Sequence, residues 1–272
     1  MVPLDLRDSY TFWLVDIYAS SLKRGIGWLT VRHALLARLP GFWGDRERSP
    51  YSVIYVREGD GKAEAFGLLN PHPAVGWLLA QGRPFTLLAP DEEWEDEVAL
   101  EIDPIDRGEI VSWLPGFYRR TVTEKTANVR RLTHDDAAVF QSSAPPWALR
   151  CWPSFDSIIG RGAVFGVPFG DTFASLAWVI DRTESYDAIG VYTAPRFRNL
   201  GLARAAASAL VEHIIHQRRK VPLWAASAAN QASTALARSV GFTPRVTEVV
   251  YHWPPFAPAI RESAETTQMG SR

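Results

Sequence analysis

Residues 186–203 read Tyr-Asp-Ala-Ile-Gly-Val-Tyr-Thr-Ala-Pro-Arg-Phe-Arg-Asn-Leu-Gly-Leu-Ala. The stretch from Tyr186 to Thr193 is rich in β-branched and aromatic residues, as a strand is, and Pro195 marks a turn before a long helix. Leu202, Ala206, Leu210 and Ile214 recur at helical spacing, and Arg218, Arg219 and Lys220 lie where cations suit a helix C-terminus. The joint from Arg198 to Ala203 therefore falls where the first amides of a helix have no intrahelical partner. Free N–H groups and the positive helix end favour an anion, and Gly201 and Ala203 leave room for it near the backbone, so this turn can hold a pyrophosphate. Taken alone, the same hexapeptide also fits a solvent-facing turn in which Gly201 is a conformational convenience.

The residues beyond the helix narrow the choice. A strand, Val221 to Ser227, comes at once, and then Asn230-Gln-Ala-Ser-Thr-Ala-Leu-Ala-Arg-Ser-Val-Gly241-Phe242, a second helix stopped by Gly241. In this order the sequence resembles the GNAT superfamily of acyl-CoA-dependent N-acyltransferases. Arg198 to Ala203 looks like its pyrophosphate loop, and the run from Asn230 to Phe242 looks like its second cofactor motif. The resemblance covers about residues 130 to 252, including a closing strand pair expected around Thr247 to Trp253. It implies an α+β fold, with a mixed, mostly antiparallel sheet flanked by helices, and a smaller, divergent α/β unit in front.

The resemblance also implies a cofactor, acetyl-CoA or another acyl-CoA, as co-substrate. By position, Val191, Tyr192 and Thr193 would contact the pantetheine arm, and an amide near Val191 or Tyr192 would face the thioester oxygen. Arg198, Asn199, Leu200, Gly201, Leu202 and Ala203 would cradle the phosphates, and Asn230 would bond near the pantetheine. A primary amine would attack the thioester directly in a ternary complex, helped by proximity and a polarised carbonyl. Relatives often carry a Tyr acid seven residues after the motif Asn, where this chain has Ala237. They also often carry a carboxylate base on the third strand, where this chain has Ala188. Asp187 lies one residue off and faces the other way unless a bulge re-aims it, Tyr186 shares the face of Ala188, and Ser233 can assist the leaving thiolate. These three are the catalytic candidates. The rival reading, motivated by the two departures, is a catalytically silent CoA-binding sensor or interaction module.

Pro115-Gly116 and the basic, Thr-rich stretch from Arg119 to Lys125 resemble a crossing between packed units, dividing the chain into 1–125 and 126–272. Before it, a helix is expected from Leu29 to Leu39 and strands at Tyr51 to Arg57, Ala63 to Leu69 and Pro84 to Leu88, with Glu58-Gly-Asp-Gly61 closing a hairpin. The acidic run from Asp91 to Glu97 suits the first turn of a helix better than a cation site. After the crossing, Thr133 and Asp136 have capping-box spacing, and strands are expected at Ala163 to Val167 and Thr172 to Ile180.

With 29 basic and 30 acidic residues among 272, the chain lacks the charge footprint of a nucleic-acid binder. Its 47% hydrophobic residues suffice for a sizeable core. Asp5 and Asp8 sit where a secretory signal would be basic, and no apolar run is long enough to span a membrane, so a cytoplasmic location is expected, with a homodimer left open. The single cysteine, Cys151, excludes an internal disulfide and reads as a buried thiol rather than a nucleophile. His213 and His216 read as surface histidines, with no metal expected. Trp147, Trp152, Trp178 and Tyr186 fit either an acceptor pocket or core, and Arg119, Arg120, Arg130 and Arg131 read as exposed linker residues.

Overall fold

A computed structural model describes residues 1–22, 25–58, 63–101, 106–116, 128–149 and 151–253. The first half contains β1 (Val2–Pro3), α1 (Ser9–Ser21), α2 (Ile26–Ala37), β2 (Phe42–Gly44), β3 (Val53–Glu58), β4 (Ala63–Leu69), α3 (Pro71–Ala80), β5 (Phe85–Ala89), α4 (Glu92–Glu101) and β6 (Asp106–Pro115). The second contains β7 (Arg130–Arg131), α5 (Ala137–Ser143), α6 (Phe155–Arg161), β8 (Val164–Phe169), β9 (Thr172–Arg182), β10 (Tyr186–Thr193), α7 (Leu202–His216), β11 (Val221–Ser227), α8 (Gln231–Ser239) and β12 (Phe242–Trp253). The strands form a mixed, mostly antiparallel sheet in the order β1-β2-β3-β4-β5-β12-β6-β11-β10-β9-β8-β7, with helices packed on it.

The two halves share a plan. β4, α3, β5, α4 and β6 repeat the sequence of elements seen in β10, α7, β11, α8 and β12, and in each set the first two strands pair in parallel. The last strands are exchanged. β6 lies between β11 and β12, and β12 lies between β5 and β6. The expected closing strand pair near Thr247 to Trp253 is thus one long strand whose partners, β5 and β6, both precede residue 116. Nothing local in the sequence marks this, because β12 is half-exposed over most of its length and finds its partners more than a hundred residues upstream.

Local chemistry fixes the ends of several elements. Asp8 caps α1 by accepting from the Thr11 amide, and the Thr133–Asp136 capping box forms as its spacing predicts. Asp136 also takes Arg130 at 2.5 Å, which together with the Thr133 bonds holds its pKa down at about 2. β10 and β11 match their expected bounds, whereas α2 starts three residues before the expected Leu29. The turn 59–62, the stretch 117–127 and the linker arginines Arg119 and Arg120 lie outside the described residues. Among the described residues no helix is long and apolar enough to cross a membrane.

Cores lie on both halves. Phe140, Ile158, Leu176, Trp178, Leu210 and Ile214 close the second, and Val15, Leu35 and Tyr55 on one side and Leu78, Trp94 and Val98 on the other close the first. α2 belongs to the first half by sequence but packs against β9 and β10. Its N-terminal amides, Ile26 and Gly27, donate to the Glu248 carboxylate of β12 at 2.7 and 3.0 Å, an anion placed on the positive end of the helix. We expect Glu248→Ala to lower the stability by about 1–2 kcal/mol, the usual worth of a cap, read as a shift in the denaturation midpoint. An unchanged midpoint would show that α2 is held by its apolar contacts alone.

Candidate functional site

The site grows from a change of partner. β10 and β11 pair in parallel only from Tyr186↔Val221 to Ala188↔Leu223. Beyond that, β10 stays with β9 through Thr193↔Ser175, while Trp224 to Ser227 of β11 pair with Trp113 to Ile110 of β6. The two strands diverge, and a cleft of about 710 Å³ opens between them.

Its walls contain Val191, Tyr192, Thr193, Arg198, Asn199, Gly201, Leu202, Ala203, Asn230 and Ser233, which brings together every expected cofactor residue but one. The exception is Leu200, which is exposed and outside the lining. At the N-terminus of α7, Asn199 and Gly201 take φ of +62° and +76°, and Gly201 caps the helix with no side-chain hydrogen bond. None of the amides from Asn199 to Arg204 has a hydrogen-bond acceptor among the described residues, whereas Ala205 already bonds back to the Gly201 carbonyl. These donors and the side chains of Arg198 and Arg204 meet at the cleft mouth, a cationic lip on the positive end of a helix. Gly201 is required for its left-handed backbone rather than for space, since a Cβ there would meet no protein atom within 4 Å.

Along β10, the Tyr192 carbonyl accepts from Ser175 Oγ at 3.1 Å and the Ala194 amide donates to the Ala174 carbonyl, both on the β9 side. Backbone groups alternate along a strand, so those of Val191 and Thr193 point into the cleft. Gly190, just before them, lets the strand lie on the Trp178 indole, which a Cβ would approach to 2.9 Å. Asn230 caps α8, its Oδ1 accepting from the Ser233 amide at 3.0 Å, and Ser233 Oγ accepts from Trp224 Nε1 at 3.1 Å. That bond leaves the Ser233 proton directed elsewhere.

The other two catalytic candidates are not at the cleft. Asp187 is fully buried, and its carboxylate takes Arg218 through Nε and Nη2, and Lys220 at 3.3 Å. It anchors the residues just after α7 to β10, so the base expected of it is corrected to an ion-pair role. Tyr186 packs its ring edge against Trp28 and also lies outside the cleft lining. Of the tryptophans, Trp178 and Trp152 are core, while Trp147 stacks on Trp178 and lines the cleft. Cys151 is buried, as expected, but with Arg57 Nη1 donating to its Sγ at 2.8 Å. Sequence reading missed Phe197, Arg204, Trp224 and Leu236 of the cleft wall. Arg204 lies on the first turn of the helix and could have been found from that position alone.

The sequence profile of the GNAT acetyltransferase family matches residues 116–251, half of the chain. The chain belongs to the GNAT acetyltransferase family. As such it is an acyl-transferring enzyme. Solved structures agree on the fold. A GCN5-related N-acetyltransferase-like protein from Streptococcus suis superposes with a TM-score of 0.70 at 16% identity, covering 89% of this chain and 98% of its own. A tandem GNAT protein from the clavulanic acid biosynthesis pathway gives 0.62 at 16% identity over 92% and 97%. A GCN5-related N-acetyltransferase from Kribbella flavida gives 0.59 at 14% identity over 85% and 97%. A search of curated protein sequences returns no match.

The Asp187 cluster yields a direct test. Asp187→Asn leaves two cations facing a neutral group in a buried site, so we expect a loss of about 3 kcal/mol in stability with turnover per folded molecule unchanged. A large fall in kcat at undiminished stability would restore Asp187 as the base.

Proposed function

We propose that this GNAT enzyme transfers an acetyl or short acyl group from acyl-CoA to a small primary amine by direct attack in a ternary complex. The observation that carries the reading is the run of unpartnered amides from Asn199 to Arg204 opening into a cleft between two diverging strands. A diphosphate satisfies those donors and is favoured by the helix end. The open edge of β10 then runs away from it, so an extended amide-bearing arm can add to Val191 and Thr193 as a strand adds to a sheet edge.

The Val191 amide is the donor placed to polarise a thioester oxygen at the end of that arm, and charge building there in the transition state is what such a donor stabilises. The leaving thiolate needs modest help, because a thiol pKa is about 8.5. Ser233, held by Trp224 and with its proton free for another acceptor, is the donor at hand. Among the described residues, the first half has no second cradle of this kind at the matching helix. Where α7 has Gly201-Leu202-Ala203, α3 begins Asn70-Pro71-His72-Pro73, and prolines offer no N–H. We accordingly expect one acyl-CoA per chain.

Calorimetry with acetyl-CoA should accordingly give one site per chain. Gly201→Glu should weaken it by at least about tenfold, since its carboxylate competes with the phosphates for Arg198, Arg204 and the helix end and cannot easily take the left-handed backbone, while Gly201→Asn, tolerant of that backbone, retains most of it. Undiminished binding by the Glu variant would remove the site from this turn. Release of CoA thiol when amines are added separates the enzyme from a silent CoA-binding module. For Ser233→Ala we expect kcat to fall by about tenfold with the acetyl-CoA KM unchanged, and an unchanged kcat would assign thiolate protonation to solvent.

A further inference from the structure

The acidic run leading into α4 divides into two parts. Asp91 accepts from the Trp94 amide, and Glu92, Glu93 and Glu95 fill the first turn, where carboxylates complement the positive helix end. Glu97 and Glu101 have no such reason to be there. They stand on later turns, four residues apart and hence on one face, where like charges repel and the nearer helix end is negative.

Opposite them is His72, in the first turn of α3. Its Nδ1 lies 2.5 Å from Glu97 Oε1 and 3.9 Å from Glu101 Oε1, and one ligand atom from each of the three falls within 4.8 Å of the others. Among the described residues no Lys or Arg pairs with either carboxylate, and the arginine that α4 does engage, Arg107, goes to Glu95 at 3.1 Å. An imidazolium offsets one of the two negative charges. A divalent ion offsets both and uses the ring nitrogen as a ligand.

The donors are held ready for such an ion. Pro71 and Pro73 fix φ on either side of His72, and α3 packs against α4 over a core that includes Leu78, Trp94 and Val98. The Glu97 side chain is 16% exposed and that of His72 is 76% exposed, so a fixed inner ligand meets an outer one that solvent reaches. One imidazole nitrogen with two carboxylate oxygens suits an ion of the zinc kind, whereas Mg²⁺ and Ca²⁺ prefer oxygen alone. Tetrahedral bonds of about 2.05 Å set ligand atoms about 3.3 Å apart. The two distances from Nδ1 lie on either side of that value, so closing on an ion changes each by less than about 1 Å.

We propose that His72, Glu97 and Glu101 bind one divalent transition-metal ion of the zinc kind, with water completing its shell, and that the ion ties α3 to α4. None of the three lines the acyl-CoA cleft. Nor do they line the adjoining cavity of about 230 Å³, which shares Ile180, Ile189 and Ala225 with the cleft and has the Arg57–Asp181 pair, at 3.5 Å, in its wall. The ion therefore serves the first half of the fold, and the proposal stands apart from the acyl-CoA reading.

The full chain, freed of metal by a chelator, is titrated with ZnCl₂ by calorimetry, and its thermal midpoint is followed with and without the ion. We expect one zinc per chain at this site, bound at least about tenfold more weakly by His72→Ala and by Glu101→Gln. At about a hundred times Kd, zinc should raise the wild-type midpoint by at least about 4 °C, because an ion that binds only the folded chain stabilises it. MgCl₂ should leave the midpoint in place, and His216→Ala, which removes a histidine of α7, should bind zinc as the wild type does. No zinc uptake by the wild type, undiminished affinity in either variant, a midpoint that zinc does not move, or an equal response to MgCl₂ would overturn the proposal. So would a loss of binding in His216→Ala as large as that in His72→Ala. If one of the two ligand variants does not fold, the other decides.

Discussion

The structure turns on the strand that β11 pairs with after Leu223. Were β11 to continue alongside β10, main-chain bonds would close the sheet and no ligand could enter. Instead β6 takes Trp224 to Ser227, and the edge of β10 beyond Ala188 is left without a strand. Buried main-chain donors and acceptors must be satisfied somewhere, and in this protein an open strand edge and an open helix end face the same space. The cleft needs β6, so the second half cannot form it from its own strands.

That dependence runs both ways. β12 returns the exchange by pairing with β5, its Glu248 fixes the start of α2, and α2 in turn carries Thr30 and His33 to β9. Arg32 adds an exposed pair to Glu184 at 2.7 Å. The polar residues at this junction are mutually bonded rather than solvated, which makes the seam between the halves specific: shifting it would strand Arg57 and Asp181 as buried charges. The duplication of the plan is thus put to unequal use. One half has a glycine-bearing turn with open amides, and the other, with Pro71 and Pro73 at the matching place, contributes walls and charge to the adjoining cavity.

Much of this was legible in the residues. The strand, turn and helix from Tyr186 to His216 carry their own signals, and the open helix start was identifiable because its chemistry is local: unpaired amides, a left-handed glycine and a helix end all lie within a few residues. The same holds for the Thr133–Asp136 box and the Asn230 cap. The burial of Asp187 was not legible. Period-two alternation placed Asp187 and Ala188 on opposite faces correctly, and a bulge does lie there, but its extra residue is on β9, where no local signal announces it, so Asp187 is not re-aimed. Arg57, Glu64 and Thr30 could not be found for a similar reason, since their meaning comes from partners 94 to 151 residues away in sequence or from a cavity they line jointly.

By itself, then, the sequence determined those features whose energetics close within one turn or one helix: the capping groups, the stop at Gly241, and the anion-ready start of α7. Tertiary structure alone decided which strands pair, and with that where the cleft opens. The physical reason is that strand pairing is a contest among edges with similar main-chain chemistry, settled by long-range packing and register. A single inserted residue then reverses the direction of a side chain without changing any local preference.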